Sequence, residues 1–387
     1  MRQVCSMFSQ MLQLIPRDQF AEAVRQHGAE RHARGFTCWG QFVAMLFCHL
    51  GQAHSLREIC SGLACSEGKL RHLGIPVAPN RSTLAYANEH RSWQVYETVF
   101  MQLQERTQQQ HLPRKFRFKN PLKIIDSSLI DLCEQMFPWA QYCRGKGAAK
   151  LHMVLDGHTH LPHYAHITEG RASDLAEARK LRWQPGTILV MDRAYLDYEW
   201  FQNMCDDGVF FVTRSRSYFH YEVLQDRAVP AGGVIVRDQV VRLGSPTWHT
   251  RMHSPVRRIE VTRPGQENLV ILSNHLNFSP KTIADIYRER WKIETFFRTL
   301  KQTMRVKTFV GTTANALKIQ IWTALIALLL LKFLQIRSRL SWSLSMLVAL
   351  LRQQLFVYRD LWLWLEQPWQ PPEPPLTPQL LLLPQPI

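Results

Sequence analysis

Two short apolar runs that each end abruptly in an aspartate do most to limit how this chain can fold. Leu122–Ile125 runs into Asp126, and Thr187–Met191 runs into Asp192. Runs of this length, rich in β-branched residues, read as buried strands and not as helices. Between them, Leu151–Leu155 and Pro162–Thr168 flank Asp156-Gly157, a pair suited to a hairpin turn. Ser173 can cap a helix over Asp174–Trp183, and after Asp192 the pattern predicts a helix over Tyr195–Asp206 and a strand at Val209–Thr213. The resulting order is three strands, a helix, a strand, a helix and a strand. That order predicts a mixed α/β core.

At 387 residues the chain exceeds what one core usually serves, so two or three domains are expected. Residues 1–112 read as helical, with helices over Arg17–Gln26 behind Pro16, Phe36–Leu50, and Leu56–Leu63 capped by Ser55. Ala64–Ser66 leads into Glu67–Leu73, which makes a helix-turn-helix or a plain bundle equally readable there. A longer helix over Ser82–Gln108 precedes a basic connector, Arg114-Lys115-Phe116-Arg117-Phe118-Lys119, either a solvated linker or a phosphate contact. Residues 214–278 lose the helical period. Gly233–Val236, Val240–Leu243, Arg258–Thr262 and Leu269–Leu272 predict a small β-rich insertion. Ser279 and Pro280 start a strong helix, so 120–213 and 279–312 are expected to form one core around the insertion. Apolar helices follow over about 315–337 and 342–357, within a C-terminal helical part at 313–366. The tail at 367–387 is rich in Pro and predicted to be extended or without fixed structure.

Charge gives the first functional clue. Forty-seven Lys+Arg against 31 Asp+Glu leave a net +16, an excess that usually meets a polyanion, nucleic acid above all. The eight cysteines form no CxxC pair. Cys60 and Cys65 with His49, His54 and His72 are a weak zinc pattern, and reduced thiols in a cytoplasm are the default. The apolar run Ile321–Leu331 is too short to span a bilayer and reads as a buried helix.

The segment from Ile286 through Lys301 carries the most chemistry. On a continuous helix, Tyr287, Arg290, Glu294 and Lys301 fall within an arc of about 60°, beside an apolar face of Ile286, Ile293, Phe297, Leu300 and Met304. Arg290 and Glu294 are an i,i+4 pair, which alone would make a salt-bridged surface helix. An aromatic, two cations and one acid at the core's edge favour a functional stripe.

The spacing Y-x2-R-x3-E-x6-K is similar to the signature of the IS4 family of insertion-sequence transposases, and Tyr287–Lys301 looks like the same helix in its Tn5-like group. That resemblance requires an Asp on the first core strand, which Ile124-Ile125-Asp126-Ser127-Ser128 supplies, and another after the fourth strand, which Met191-Asp192-Arg193-Ala194-Tyr195 supplies. Ala194 stands where the family more often has Gly. The resemblance covers about 120 to 335 and implies an RNase H-like catalytic core, in keeping with the strand order. It implies that Asp126, Asp192 and Glu294 hold two Mg²⁺ or Mn²⁺ ions, with Asp126 bridging them. In-line displacement at phosphorus needs both attacking and leaving oxygens stabilised, and hard oxygen ligands suit such ions. Tyr287, Arg290 and Lys301 would bind phosphates, and Trp291 would stack on a base or join the core.

The same resemblance implies cut-and-paste movement of an insertion element. Its steps are binding of inverted repeats in double-stranded DNA, nicking, hairpin formation and strand transfer into target DNA. It also implies a homodimer, with Ile321–Leu331 and Leu344–Leu351 as candidate contacts, acting in a bacterial cytoplasm at the nucleoid. Two rivals share part of this reading: another RNase H-like nuclease, and a transposase-derived DNA-binding protein without catalysis. Asp131, Asp174 and Asp197 read as helix-associated, and Asp156 as a turn residue. His152, His158, His160, His163 and His166 crowd one hairpin as a polar sheet face or a further metal site. Arg251, Arg257, Arg258 and Arg263 stud the insertion, facing DNA or solvent.

Overall fold

The computed structural model describes residues 5–370 except 32, 34, 67, 109–114, 133–140, 144–145, 217–218, 230–232, 245–251 and 303–308. Arg114, Arg251, Met304 and the Pro-rich tail from 371 lie outside the described residues. Six helices come first: α1 (Met7–Leu12), α2 (Arg17–Gln26), α3 (Cys38–Leu50), α4 (Leu56–Ala64), α5 (Arg81–His90) and α6 (Gln94–Gln108). Then follow β1 (Leu122–Leu132), β2 (Gln141–Cys143), β3 (Lys146–Asp156), β4 (Pro162–Glu169), α7 (Asp174–Arg179), β5 (Ile188–Val190), α8 (Tyr198–Asp206) and β6 (Phe210–Arg214). Four more strands, β7 (Tyr221–Arg227), β8 (Ile235–Leu243), β9 (Val256–Arg263) and β10 (Gln266–Ser273), lead to α9 (Pro280–Arg288) and α10 (Trp291–Gln302). The C-terminal helices are α11 (Ala314–Arg337), α12 (Leu344–Gln354) and α13 (Leu361–Glu366).

All these strands join one mixed sheet, in the order β2-β3-β1-β5-β6-β10-β9-β8-β7 with β4 paired to β3. β1 runs antiparallel to β3, placing Asp126 opposite Met153, and parallel to β5, placing Ile124 opposite Val190. β5 is parallel to β6, and β6 is antiparallel to β10. The 214–278 segment therefore continues the sheet edge to edge.

The two-residue period of the strands sorts side chains onto two faces. Ile124, Ile188, Val190 and Val212 face one core, shared with Ile286, Ile293 and Phe297 of α9 and α10 and with α3, α6 and α11. Ile125, Leu189, Met191 and Phe211 face the other, covered by Trp200, Phe201 and Met204 of α8. Parallel strands buried on both faces are apolar throughout, which is why Ile188–Val190 reads as one unbroken run.

The helical parts at the two chain ends form one body. α11 packs against α3, α5, α6 and α12. Ser6 bridges to Tyr358, and Lys69 Nζ donates to the Phe356 carbonyl at 3.1 Å. α11 is longer than the Ile321–Leu331 run and is long and apolar enough to cross a membrane, yet it lies mostly inside the fold. Ile321–Leu331 is buried throughout, so it presents no face to a second subunit.

Local differences from the sequence expectation have physical causes. The helix expected over Ser82–Gln108 is two, because Asn315 Nδ2 donates to the Asn88 carbonyl (2.8 Å) and the Arg91 carbonyl (2.7 Å) at the break. Of the helix expected over Glu67–Leu73, the described residues form a 3₁₀ turn at Leu70–Leu73, too short to act as a recognition helix. Asp131 lies in β1 and not beside a helix. The Asp156-Gly157 turn forms as expected. Asp156 Oδ1 accepts from the His158 and Thr159 amides at 3.1 and 2.9 Å. A Cβ on Gly157 would come within 2.4 Å of Leu122 Cγ, so the turn needs glycine.

Candidate active site

Asp126 sits midway along β1, just past the Ile124–Ile125 pair that anchors both cores. Asp192 follows β5 at once and caps a 3₁₀ turn over Arg193–Tyr195, accepting from the Ala194 amide at 2.6 Å. β1 and β5 are adjacent and parallel, and their pairing ends at Ile124 opposite Val190. Asp126 and Asp192 each lie two residues further on, beyond the carboxyl end of β5, where ligands bind in open α/β sheets. Glu294 stands in the first turn of α10, which packs on β1. Strand pairing and one helix-on-sheet contact thus bring Asp192 and Glu294, distant in sequence, within electrostatic range of Asp126.

Their proximity is visible in the Asp126 carboxyl, which is pushed up to about 7. Burial is the largest cause. The negative charges of Asp192 and Glu294 add to it, while the Ser127 amide and Arg290 oppose it. Asp126 Oδ1 accepts from the Ser127 amide at 2.8 Å. Arg290 supplies the compensating charge: its Nη1 lies 2.7 Å from Glu294 Oε1 and 3.9 Å from Asp126 Oδ2.

Tyr287, Arg290 and Glu294 come together, but not on one straight helix. The backbone breaks between α9 and α10, and the amides of Glu289, Arg290, Lys292 and Ile293 each bond to the carbonyl three residues back. This 3₁₀ geometry turns about 120° per residue where an α-helix turns about 100°. At this elbow the Glu289 carboxylate meets Lys115 Nζ (2.6 Å) and His160 Nε2 (2.9 Å), both far off in sequence. Tyr287 is buried, and Arg290 lies 5.9 Å over its ring and 5.2 Å over that of Trp291. Trp291 is 57% exposed and so belongs to the surface, not the core. Lys301 is half-buried two turns along α10, roughly 10 Å from Glu294 by helix rise.

Sequence reasoning missed a supporting set behind Asp126. Ser127 Oγ donates to Asp174 Oδ1 at 2.7 Å, and Asp174 also faces Lys150 Nζ (3.2 Å) and His152 Nδ1 (3.7 Å). Burial, then Asp126 and Asp174, push the Tyr195 hydroxyl well up, and it shares a hydrogen bond with Ser127. The available signal was adjacency, since Ser127 follows Asp126 and Tyr195 closes the turn after Asp192.

The five histidines of the β3–β4 hairpin do not gather at one point, although His152 lies opposite His166 across the strands. His152 pairs with Thr168, His158 with the Asn120 carbonyl, His160 with Glu289 and His163 with Gln108. Arg257 is 2% exposed and bound to Asp238, so it faces neither DNA nor solvent. Arg258 and Arg263, by contrast, line a cavity of about 690 Å³ together with Arg193, Arg214, Arg216 and Tyr221.

Among the described residues no three His, Cys, Asp or Glu side chains stand as a ready metal cage. At the acid cluster the Arg290 guanidinium lies against two of the carboxylates, Glu294 and Asp126. The donors still fit a divalent cation in kind: hard oxygens, partly buried, already gathered around one positive charge.

Comparison with known proteins gives the family. Residues 117–330 match the transposase DDE domain, and residues 4–76 match a domain of unknown function. A Sinorhizobium fredii protein named as transposase y4zB is 28% identical over 79% of this chain and 85% of its own length. A Geobacillus stearothermophilus protein, named as the transposase for insertion sequence element IS5377, is 30% identical over 57% of this chain and 58% of its own. A solved piggyBac transposase synaptic complex with hairpin DNA aligns over 89% of this chain and 79% of that one, at 12% identity and a TM-score of 0.48. With more than half of its length matched to that domain, this chain belongs to the transposase DDE domain family and is a DNA transposase.

Proposed function

We propose that Asp126, Asp192 and Glu294 are the catalytic carboxylates of a cut-and-paste transposase of the IS4 type, acting on the terminal inverted repeats of an insertion sequence. The observation that carries this is their placement on β1, at the end of β5 and on α10, where burial first and then the charges of Asp192 and Glu294 raise the Asp126 carboxyl to about 7. The strand order β4-β3-β1-β5-β6, with β1, β5 and β6 parallel, supports an RNase H-like core over 120–213 and 279–312. On this reading 214–278 is an insertion that widens the DNA-facing side, 1–112 binds DNA and 313–366 braces the core. Two Mg²⁺ or Mn²⁺ ions bound there would make water a nucleophile and neutralise the phosphate.

The chain's own residues do the positioning. Asp126 stands on β1 and Asp192 on the turn just after β5, and Glu294 would complete the set from α10. Tyr287, Arg290 and Lys301 bind phosphates next to the scissile one, and Trp291 offers its exposed ring to a base. Nicking, hairpin formation and strand transfer then proceed at one site on DNA ends held by a homodimer at the bacterial nucleoid. The test is mutational. Alanine at any of the three acids should abolish cleavage of an inverted-repeat duplex and leave its binding largely intact, since basic contacts carry most affinity. Cleavage retained by one variant removes that residue from the site.

A further inference from the structure

Arg290 borders two environments. On one side its guanidinium rests on Glu294 and Asp126. On the other it lines a cavity of about 260 Å³ whose wall includes Arg214, Tyr287, Arg288 and Trp291. Its Nε is sealed from water without a partner, and so is Nε of Arg214 across the same cavity. Buried donors left unpaired are unfavourable and mark groups whose bonds are completed in another state. The cavity wall carries four arginines (Arg214, Arg263, Arg288 and Arg290), so the occupant that would complete those bonds is an anion.

Building on the carboxylate reading above, we propose that Arg290 is a two-position residue. Without DNA it stands in for a metal ion between Asp126 and Glu294. When a DNA phosphate enters the neighbouring cavity, Arg290 turns onto it and releases the carboxylates to a divalent cation. A divalent cation held by Glu294 would compete with Arg290, whose Nη1 now lies against Oε1 of that carboxylate. An arginine stays charged at any working pH, so the exchange answers to ligands and not to protons. Binding linkage then requires DNA and metal to strengthen each other by the same factor. The consequence is a safeguard, because the metal is held well only where a DNA end is already in place.

The experiment measures Mn²⁺ binding by electron paramagnetic resonance in the full chain. It is run with and without a duplex of the element's own terminal sequence, blocked at its 3′ end so that no chemistry follows. The unaltered protein should bind Mn²⁺ about tenfold or more tighter with DNA present. Arg290→Gln should hold Mn²⁺ about tenfold tighter than the parent without DNA, and DNA should add less than about twofold. Arg290→Gln binding no tighter than the parent, or full DNA coupling in that variant, overturns the proposal. Coupling below about twofold in the unaltered protein overturns it without any variant. Adding Asp126→Asn separates the two readings. If Mn²⁺ binding survives it undiminished, the carboxylate assignment itself fails, and the exchange with it.

Discussion

Arg257 and Arg290 both lie almost out of water against carboxylates, and they differ in what they leave unsatisfied. Arg257 is enclosed between β8, β9 and the loop before α9. Its Nε meets Asp238 Oδ1 at 2.9 Å, its second terminal nitrogen meets Oδ2, and the remaining one reaches the Leu276 and Phe278 carbonyls. Arg290 makes one good contact and one long one, keeps an unpaired Nε, and borders open space. A buried ion pair with every donor used fixes a structure, here the loop that delivers α9. One with donors to spare is poised to make further bonds.

This contrast can be broken or sharpened by experiment. The largest effect should come from metal removal. With EDTA, cleavage of an inverted-repeat duplex should vanish, and Ca²⁺ should support complex assembly with little cutting, because its longer bonds misplace the reacting groups. Gels that show full cleavage in EDTA would remove the metal-ion chemistry from the Arg290 side of the comparison. Next in size, Asp238→Ala strands the Arg257 charge and should cost about 3–5 kcal/mol of stability, read from denaturant midpoints. A loss under about 1 kcal/mol would mean that Arg257 is not the fixed partner described here.

Lys301→Ala should be milder. Loss of one charge-assisted phosphate contact predicts a ten- to hundredfold fall in hairpin and joined product, with nicked DNA accumulating (about 1.5–3 kcal/mol). Normal joining would leave Lys301 outside the phosphate clamp. The smallest effect concerns pH. Burial lowers His152 and His163 to about 4 from an ordinary 6.5, so both are neutral in the fold and protonate on unfolding. The unfolded chain therefore binds more protons between those values. Stability is fully present above about 6.5 and falls as pH drops towards 4. Melting profiles of a His152→Asn, His163→Asn double variant should be flatter across that window, and an unchanged slope would contradict the assignment.

The sequence was legible where local chemistry and global fold agree. The runs ending in Asp126 and Asp192 are strands because apolar, β-branched residues buried on both faces leave no periodicity to mistake. Ser279 and Pro280 mark the α9 start because a cap needs only its own neighbours, with Ser279 Oγ accepting from the Thr282 amide. What stayed hidden depends on residues far away. Glu289 at the elbow meets Lys115 and His160, and the α5–α6 break is set by Asn315. β7 is an edge strand exposed almost throughout, so it shows no alternation to read. At the candidate site the acids could be named from strand ends and spacing, because both are local. Asp174 was set aside as a helix-start residue, and its link to Ser127 comes only from the pairing of β1 with β3 and the packing of α7 on β1.

The account's central claim is that Asp126, Asp192 and Glu294 form one metal-dependent cutting site. The most direct test measures binding and cleavage of the same inverted-repeat duplex, in the same Mg²⁺ buffer, for the parent and three single alanine variants. The account predicts retained gel-shift affinity, within about threefold, together with cleavage lowered by at least about a thousandfold in each variant. Cleavage within about tenfold of the parent in any one of them would contradict a site built on all three.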